Sequence, residues 1–212
     1  KRLRREIEPV EIRDFMRFLF DWQHLTEDTQ WQGQEALPLL LNLLEGYEAA
    51  AGAWEADVLG LRMRDYSMLW LDDLCRAGKT VWSRIDAPRT AAGGPVRGTP
   101  IVLLPRRQVA LWHALPLPEG PPQISPRAAT VLDALRRGGA VFFDELQFDA
   151  RMMPVELETA LGELVATGLV NADSFAGLRA MLLPASKRAS NDKKRRRGAG
   201  PTMEEAGRWA LV

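Results

Sequence analysis

Ser125-Pro126-Arg127-Ala128-Ala129-Thr130-Val131-Leu132-Asp133-Ala134-Leu135-Arg136-Arg137-Gly138-Gly139 is the stretch whose reading decides the fold. Ser125 is a good helix cap and Pro126 suits a first helical position, where a missing N–H costs nothing. Ala128, Val131, Leu132 and Leu135 recur at i, i+3, i+4 and i+7, so one apolar stripe faces inward until Gly138-Gly139 ends the helix. Downstream, Ala140 to Phe143 is a short apolar strand stub, and Asp144 opens a brief second helix carrying Leu146. Pro154 starts a third helix whose Leu157, Leu161, Leu164 and Val165 share a face, closed by Gly168. A hairpin is expected next, with Leu169 to Asn171 as one strand, a polar turn at Asp173-Ser174, and Leu178 to Leu183 as the return strand. Helix, stub, helix, helix, hairpin is the order of a winged helix-turn-helix, predicted over 125–184.

The same order is legible upstream. Trp54 to Leu61 reads as a helix, Arg62 to Tyr66 as a connector, and Ser67 as the cap of a helix with Leu71, Leu74 and Cys75 inward and Gly78 at its end. Thr80 to Ile85 alternates as a strand, Asp86 to Thr99 is a Gly-, Pro- and Ala-rich loop holding Arg89 and Arg97, and Ile101 to Leu104 is an apolar strand ended by Pro105-Arg106-Arg107. This is a second winged-helix pattern with a longer, basic wing. Before it, a helix over Glu11 to Leu25 places Ile12, Phe15, Met16, Leu19 and Trp22 on one stripe, with Phe18 and Phe20 off it, and so is expected to be buried. Gln34 to Glu48 is a further helix, provided Pro38 lies in its first turn. Trp31, among Gln30, Gln32 and Gln34, is either lodged in a local pocket or open to stacking.

The predicted class is therefore α+β, mainly helical, with tandem winged-helix modules and short antiparallel hairpins. Residues 1–115 form the first module, 116–124 a Pro-rich linker and 125–184 the second module. Residues 185–201 are a basic loop with too little apolar content to fold, suited to a polyanion, and 202–212 begin a further element. Gln108 to His113 is a short helix ahead of the linker.

The 212 residues are 46% apolar and 26% charged, enough for a real core. No apolar run approaches a membrane span and no leader pattern opens the chain, so no membrane partner is expected. The lone Cys75 suits a reducing cytoplasm, and with His24 and His113 as the other soft ligands no metal site can be assembled. Beginning at a charged Lys1 and stopping in an apolar run, the chain reads as a piece of something longer. The net charge of +0 hides an asymmetry: bases crowd the first five residues, 84–107 and 187–197, while acids crowd 27–55 and 144–163.

Nucleotide and hydrolytic chemistry lack support. Gly78-Lys79-Thr80 has the end of a phosphate loop, but the first glycine of that motif would fall on Asp73, whose charge opposes a triphosphate. Asp72-Asp73 reads as the solvated face of a helix. The third helix of the 125–184 module carries Glu156, Glu158 and Glu163 and no base, so it is a poor reader of DNA and is expected to pack on protein. Arg62, Arg64, Arg84, Arg89, Arg97, Arg106 and Arg107, by contrast, can line one basic surface that follows a phosphate backbone.

Phe18-Leu19-Phe20-Asp21-Trp22-Gln23-His24, Leu44-Glu45-Gly46-Tyr47-Glu48, Trp54-Glu55, Tyr66 to Cys75 with Gly78, Val81-Trp82, Thr99-Pro100-Ile101 and Pro105-Arg106 together resemble the Lhr family, the large helicase-related proteins of bacteria. The likeness runs over most of the first 115 residues and more loosely through 141–183. It implies an accessory part of an ATP-dependent DNA helicase that moves 3′ to 5′ in repair. ATP and magnesium would then belong to motor domains elsewhere in the same polypeptide, no cofactor would belong to this chain, and the partner would be single-stranded DNA or a tailed duplex. The resemblance also implies a tryptophan that stacks on a base. Trp22 is the matching position, although its stripe equally suits a core residue, and Trp31 is the other candidate. A second likeness, to winged-helix DNA glycosylases of the AlkZ type, would map their Gln-x-Gln or Gln-x-Asp motif onto Glu45-Gly46-Tyr47, with a glutamate in first place and a tyrosine in last. A transcription regulator is a third reading, against which the acidic third helix counts.

Overall fold

A computed structural model describes residues 9–85, 96–114, 122–182, 202–203 and 206–212. Helix α1 (Ile12–Trp22) leads through a looped segment to strand β1 (Trp31–Gln32), then to α2 (Leu37–Leu43), with Pro38 in the first turn as its chemistry requires. The helix stops at Leu43, earlier than the pattern suggested, because the chain turns at Gly46 with φ +79°. Strand β2 (Ala49–Ala50) is followed by a π-helical run, Trp54–Leu59, that tightens into α3 (Gly60–Arg62). A side chain at Gly60 would lie 2.9 Å from the Glu55 carbonyl, so the wide turn needs glycine there. Strand β3 (Met63–Arg64), α4 (Met68–Arg76), β4 (Thr80–Ser83) and β5 (Pro100–Pro105) complete the first unit. Ser67 stands at the N-cap of α4, but its side chain makes no capping bond.

β5 lies between β2 and β4, antiparallel to both, and β1 pairs with β3 in parallel. Helix, stub, helix, helix, strand, wing, strand is the winged-helix order, with α1 outside it.

After α5 (Val109–His113) the second unit repeats the scheme with α6 (Pro126–Gly138), β6 (Val141–Phe142), α7 (Phe143–Ala150), α8 (Pro154–Ala166) and β7 (Val170–Ala172). Its sheet is closed by β8 (Arg208–Leu211), central between β6 and β7, as β5 is between β2 and β4. The expected return strand at 178–183 is instead the helix α9 (Phe175–Leu182). Phe175, Leu178 and Met181 bury at helical spacing, and Gly177 lets the helix press on Ala172, Ala206 and Trp209. Strand alternation would have put Arg179 on the same face as Phe175 and Met181. Residues 202–212 thus supply the middle strand of the second sheet.

The acids of α8 have structural uses. Ser125 caps α6 by accepting from the Ala128 N–H at 3.2 Å, and the Glu163 carboxylate receives the Ser125 N–H at 2.5 Å and its hydroxyl at 2.6 Å. Glu156 accepts from the Met153 N–H at 3.2 Å and pairs with Arg127 at 2.8 Å. Each closes a helix start that would otherwise leave bare donors.

The two winged helices share one contiguous core. Trp82, 1% exposed, donates its Nε1–H to the Ser174 carbonyl at 3.0 Å and meets the Trp209 ring edge-on at 6.4 Å. Asn171 donates back to the Trp82 carbonyl at 3.4 Å. β4, expected to alternate between two faces, is consequently buried on both.

α1 differs from expectation in the other direction: none of its residues is buried, and Ile12 is 83% exposed. Its apolar residues occupy a wide arc, as the pattern showed, but no described element covers them. Most of the linker, 116–121, most of the basic wing with Arg89, and the basic run 187–197 lie outside the described residues.

Candidate nucleic-acid interface

Trp22 closes α1 with its ring 58% exposed, stacked on Phe18 at 5.8 Å between centroids and 29° between planes. A core role is therefore not its role in this fold. Trp31 is half-buried in β1, tilted against His24 at 4.7 Å, and packed on the core; its Nε1 finds no partner among the described residues. Of the two alternatives left by its polar neighbours, the local pocket is the one observed.

The segment between them is tightly organised. His24 takes φ +56° and its Nδ1–H donates to the Thr29 carbonyl at 2.7 Å, while Thr26 bonds Asp21 at 2.9 Å and Thr29 at 2.8 Å. Arg62 and Arg64 hold this segment from the other side. Arg62 donates to the Gln23 side chain at 3.4 Å and the Val58 carbonyl at 3.1 Å, and Arg64 donates to the Glu27 carbonyl at 2.9 Å. Gln30 donates to the Leu61 carbonyl at 3.0 Å. Burial lowers the Arg62 pKa, with Tyr47 opposing, yet leaves a guanidinium cationic at any ordinary pH. These two arginines face carbonyls and an amide, so their charge is not neutralised by a carboxylate in any bond described.

The remaining arginines do not join them in one surface. In the β4–β5 pair Thr80 opposes Pro105 and Ser83 opposes Val102, so Arg106 and Arg107 lie at the end away from the wing. The Arg106 N–H donates to the Lys79 carbonyl at 3.0 Å, which brings a third exposed cation to that end. Arg84 and Arg97 lie at the wing end. Arg84 donates to the Ala166 carbonyl at the C-terminus of α8, where a cation is favoured by the helix dipole, and so helps join the modules. Arg97 is exposed, with its stem over Gly52, where a Cβ would meet Arg97 Cγ at 2.6 Å.

Neither third helix offers a base-reading face. α8 has no base, and Arg76, the single base of α4, pairs with Asp73 at 3.8 Å. Exposed Met68 and Leu69 occupy the start of α4 instead.

Asp72 is 3% exposed, not the solvated carboxylate its neighbour Asp73 is. Arg179 reaches from α9 to both Asp72, at 3.0 Å, and Glu55, at 2.7 and 2.8 Å. The Tyr66 hydroxyl donates to Glu55 at 3.0 Å, and its pKa is raised by burial and then by that carboxylate. Burial alone would lower the Arg179 pKa, but the two carboxylates outweigh it and raise it. A signal was present in the sequence, since Asp72 adjoins Leu71, Leu74 and Cys75 on the inward side of α4.

At the other candidate, the Glu45 carboxylate accepts the Trp112 Nε1–H at 2.9 Å, Gly46 packs under the Trp112 ring, and exposed Tyr47 meets Trp54 edge-on at 6.0 Å. Among the described residues no group of ligands suits a metal, and no helix is long and apolar enough to cross a membrane.

Residues 10–106 match the family described as "Large helicase-related protein, winged-helix domain". The chain is 31% identical to "Lhr helicase/ probable uracil glycosylase" of Mycolicibacterium smegmatis over 99% of its own length and 14% of that protein. It is 27% identical to "Lhr helicase/uracil glycosylase" of Escherichia coli over 86% of its length and 13% of that protein. It thus spans about a seventh of the curated relatives it matches. With the two tandem winged helices in the expected order, the chain belongs to the Lhr family, and residues 10–106 are its winged-helix domain.

Proposed function

We propose that this chain is the DNA-engaging winged-helix region of an ATP-dependent 3′-to-5′ helicase acting in repair, whose motor lies outside it. The observation that carries the reading is the exposed Phe18–Trp22 pair at the end of α1, beside a segment latched by Arg62 and Arg64. Exposed aromatic faces next to cations suit unpaired bases and their phosphates, and need no base-reading helix. Third helices with no base on α8 and a single, acid-paired Arg76 on α4 fit a strand-tracking role better than duplex recognition. The wing, with Arg89 and Arg97, and the opposite end, with Arg106 and Arg107, would contact phosphates. Binding of the chain to a single-stranded oligonucleotide, titrated against salt, tests this. Arg89→Ala with Arg97→Ala should lower the slope of log affinity against log salt by about 1.4, at 0.7 per lost phosphate contact on a single strand. Absence of binding by the wild-type chain would overturn the reading.

A second reading, base excision, is favoured by the names of both relatives and by the Glu45 carboxylate held by Trp112. Glu45 would activate water at the sugar carbon of a damaged or uracil nucleotide. Abasic product from a uracil-containing strand, lost in Glu45→Gln, would support it, and no product from the wild-type chain would remove it.

A further inference from the structure

We infer that Arg179, on the second winged helix, positions the Trp22 segment of the first for strand binding. The inference rests on the proposed DNA-engaging role.

Several polar side chains of α8 and α9 in the second module are spent on contacts within the protein. Glu163 and Glu156 of α8 close helix starts, and the wing region carries α9, whose Arg179 is only 12% exposed. Arg179 also lies over the Phe175 ring at 5.6 Å, which fixes the guanidinium plane. Its bidentate bond to Glu55 grips the π-helical turn, and its bond to Asp72 grips α4. One guanidinium from the second module thus ties two helices of the first, at a π-helical turn, a rare wide geometry that recurs at functional sites.

From that turn the contacts run on without a gap. The π run passes into α3, Arg62 at its end holds the Val58 carbonyl within the turn and the Gln23 side chain next to Trp22. Leu61 holds Gln30, and Arg64 holds Glu27. β1, paired with β3, and Trp31 on the core hold the far end of the segment, whereas at the Trp22 end α1 buries nothing and Arg62 is the tie to the π turn. A turn that relaxes at Glu55 moves the Arg62 anchor, and with it the direction in which the Phe18–Trp22 pair faces. Arg179 touches no strand in this scheme and is a positioning residue.

The test is a double-mutant cycle on the whole chain, read as affinity for a single-stranded oligonucleotide. Arg179→Met weakens binding about tenfold; Trp22→Ala weakens it about tenfold to a hundredfold, by the loss of one stacked base. The double variant binds no more weakly than Trp22→Ala alone, because both act through one contact. Arg179→Met leaves two carboxylates buried without a cation, which threatens the fold. A charge-neutral companion, Glu55→Gln with Asp72→Asn and Arg179→Met, removes that threat and is expected to melt near the wild type while still binding about tenfold more weakly. Wild-type affinity in the charge-neutral variant, or additive losses in the cycle, would overturn the positioning role. A wild-type chain that binds no single strand would instead strike the DNA-engaging reading on which the cycle depends.

Discussion

Trp82→Ala is the perturbation that most severely tests the continuity of the two winged helices. The ring is 1% exposed, its Nε1–H donates to the Ser174 carbonyl at 3.0 Å, and its edge contact with Trp209 crosses from one module to the other. Removing a buried ring of this size costs about 3–5 kcal/mol. Ser174 is 0% exposed, so its carbonyl is left without a partner, for about 1–3 kcal/mol more. Against a total stability on the order of 5–15 kcal/mol, the variant should sit close to the unfolding threshold. Trp82→Phe keeps most of the packing and loses the hydrogen bond, so its cost should approach the second figure alone, about 1–3 kcal/mol. Urea unfolding gives the magnitudes, and hydrogen exchange resolved by peptide gives their distribution. A shared core predicts that the amides of α4 and of α8 lose protection together in both variants. Protection lost in α4 with α8 untouched, or a Trp82→Ala cost under about 1 kcal/mol, would refute the shared core.

Cys75 provides a chemical check on the interior. Burial first, then Asp72, push its thiol from an ordinary 9.0 up to about 12, so maleimide should fail to label the folded chain at pH 8 and label it readily in urea. Because the folded pKa is above the unfolded one and the ionised form is disfavoured in the fold, this group should subtract stability as pH rises from about 9 toward about 12, measurable as a falling urea midpoint. Gly177→Ala would place a methyl 3.0 Å from Ala206, 3.1 Å from Ala172 and 3.2 Å from Trp209, and should cost about 1–3 kcal/mol in the same titration, with no effect on α4 beyond that shared loss.

The order of helices and strand stubs was readable because each helix has its own stripe, cap and stop, as Ser125, Leu132 and Gly139 show for α6. Periodicity failed where one short segment suits two structures. Leu178 to Leu182 are all good helix formers, and the strand was expected from the winged-helix order rather than from composition; the helix packs against Trp209, over thirty residues away in the chain. The exposure of α1 was not readable at all, since an apolar arc specifies a need for cover and says nothing of what supplies it. Of the candidate site, the types of residue were visible but not their grouping. Only strand register separates Arg106 and Arg107 from Arg84 and Arg97. Only tertiary contact reveals that Arg62 and Arg64 are latches and that Asp72 is an interior partner of Arg179.

The proposed engagement of a single strand by the exposed end of α1 puts Trp22 against a base. The most direct measurement compares Trp22→Ala with Trp31→Ala, each scored for single-strand affinity and for melting temperature. Trp22 is exposed and, among the described residues, stacked on Phe18 alone, so its loss should weaken binding about tenfold to a hundredfold and leave melting unchanged. Trp31 packs on the core beside His24, so its loss should lower melting. Unchanged affinity in Trp22→Ala, with the fold intact, would remove Trp22 and the end of α1 from the strand interface.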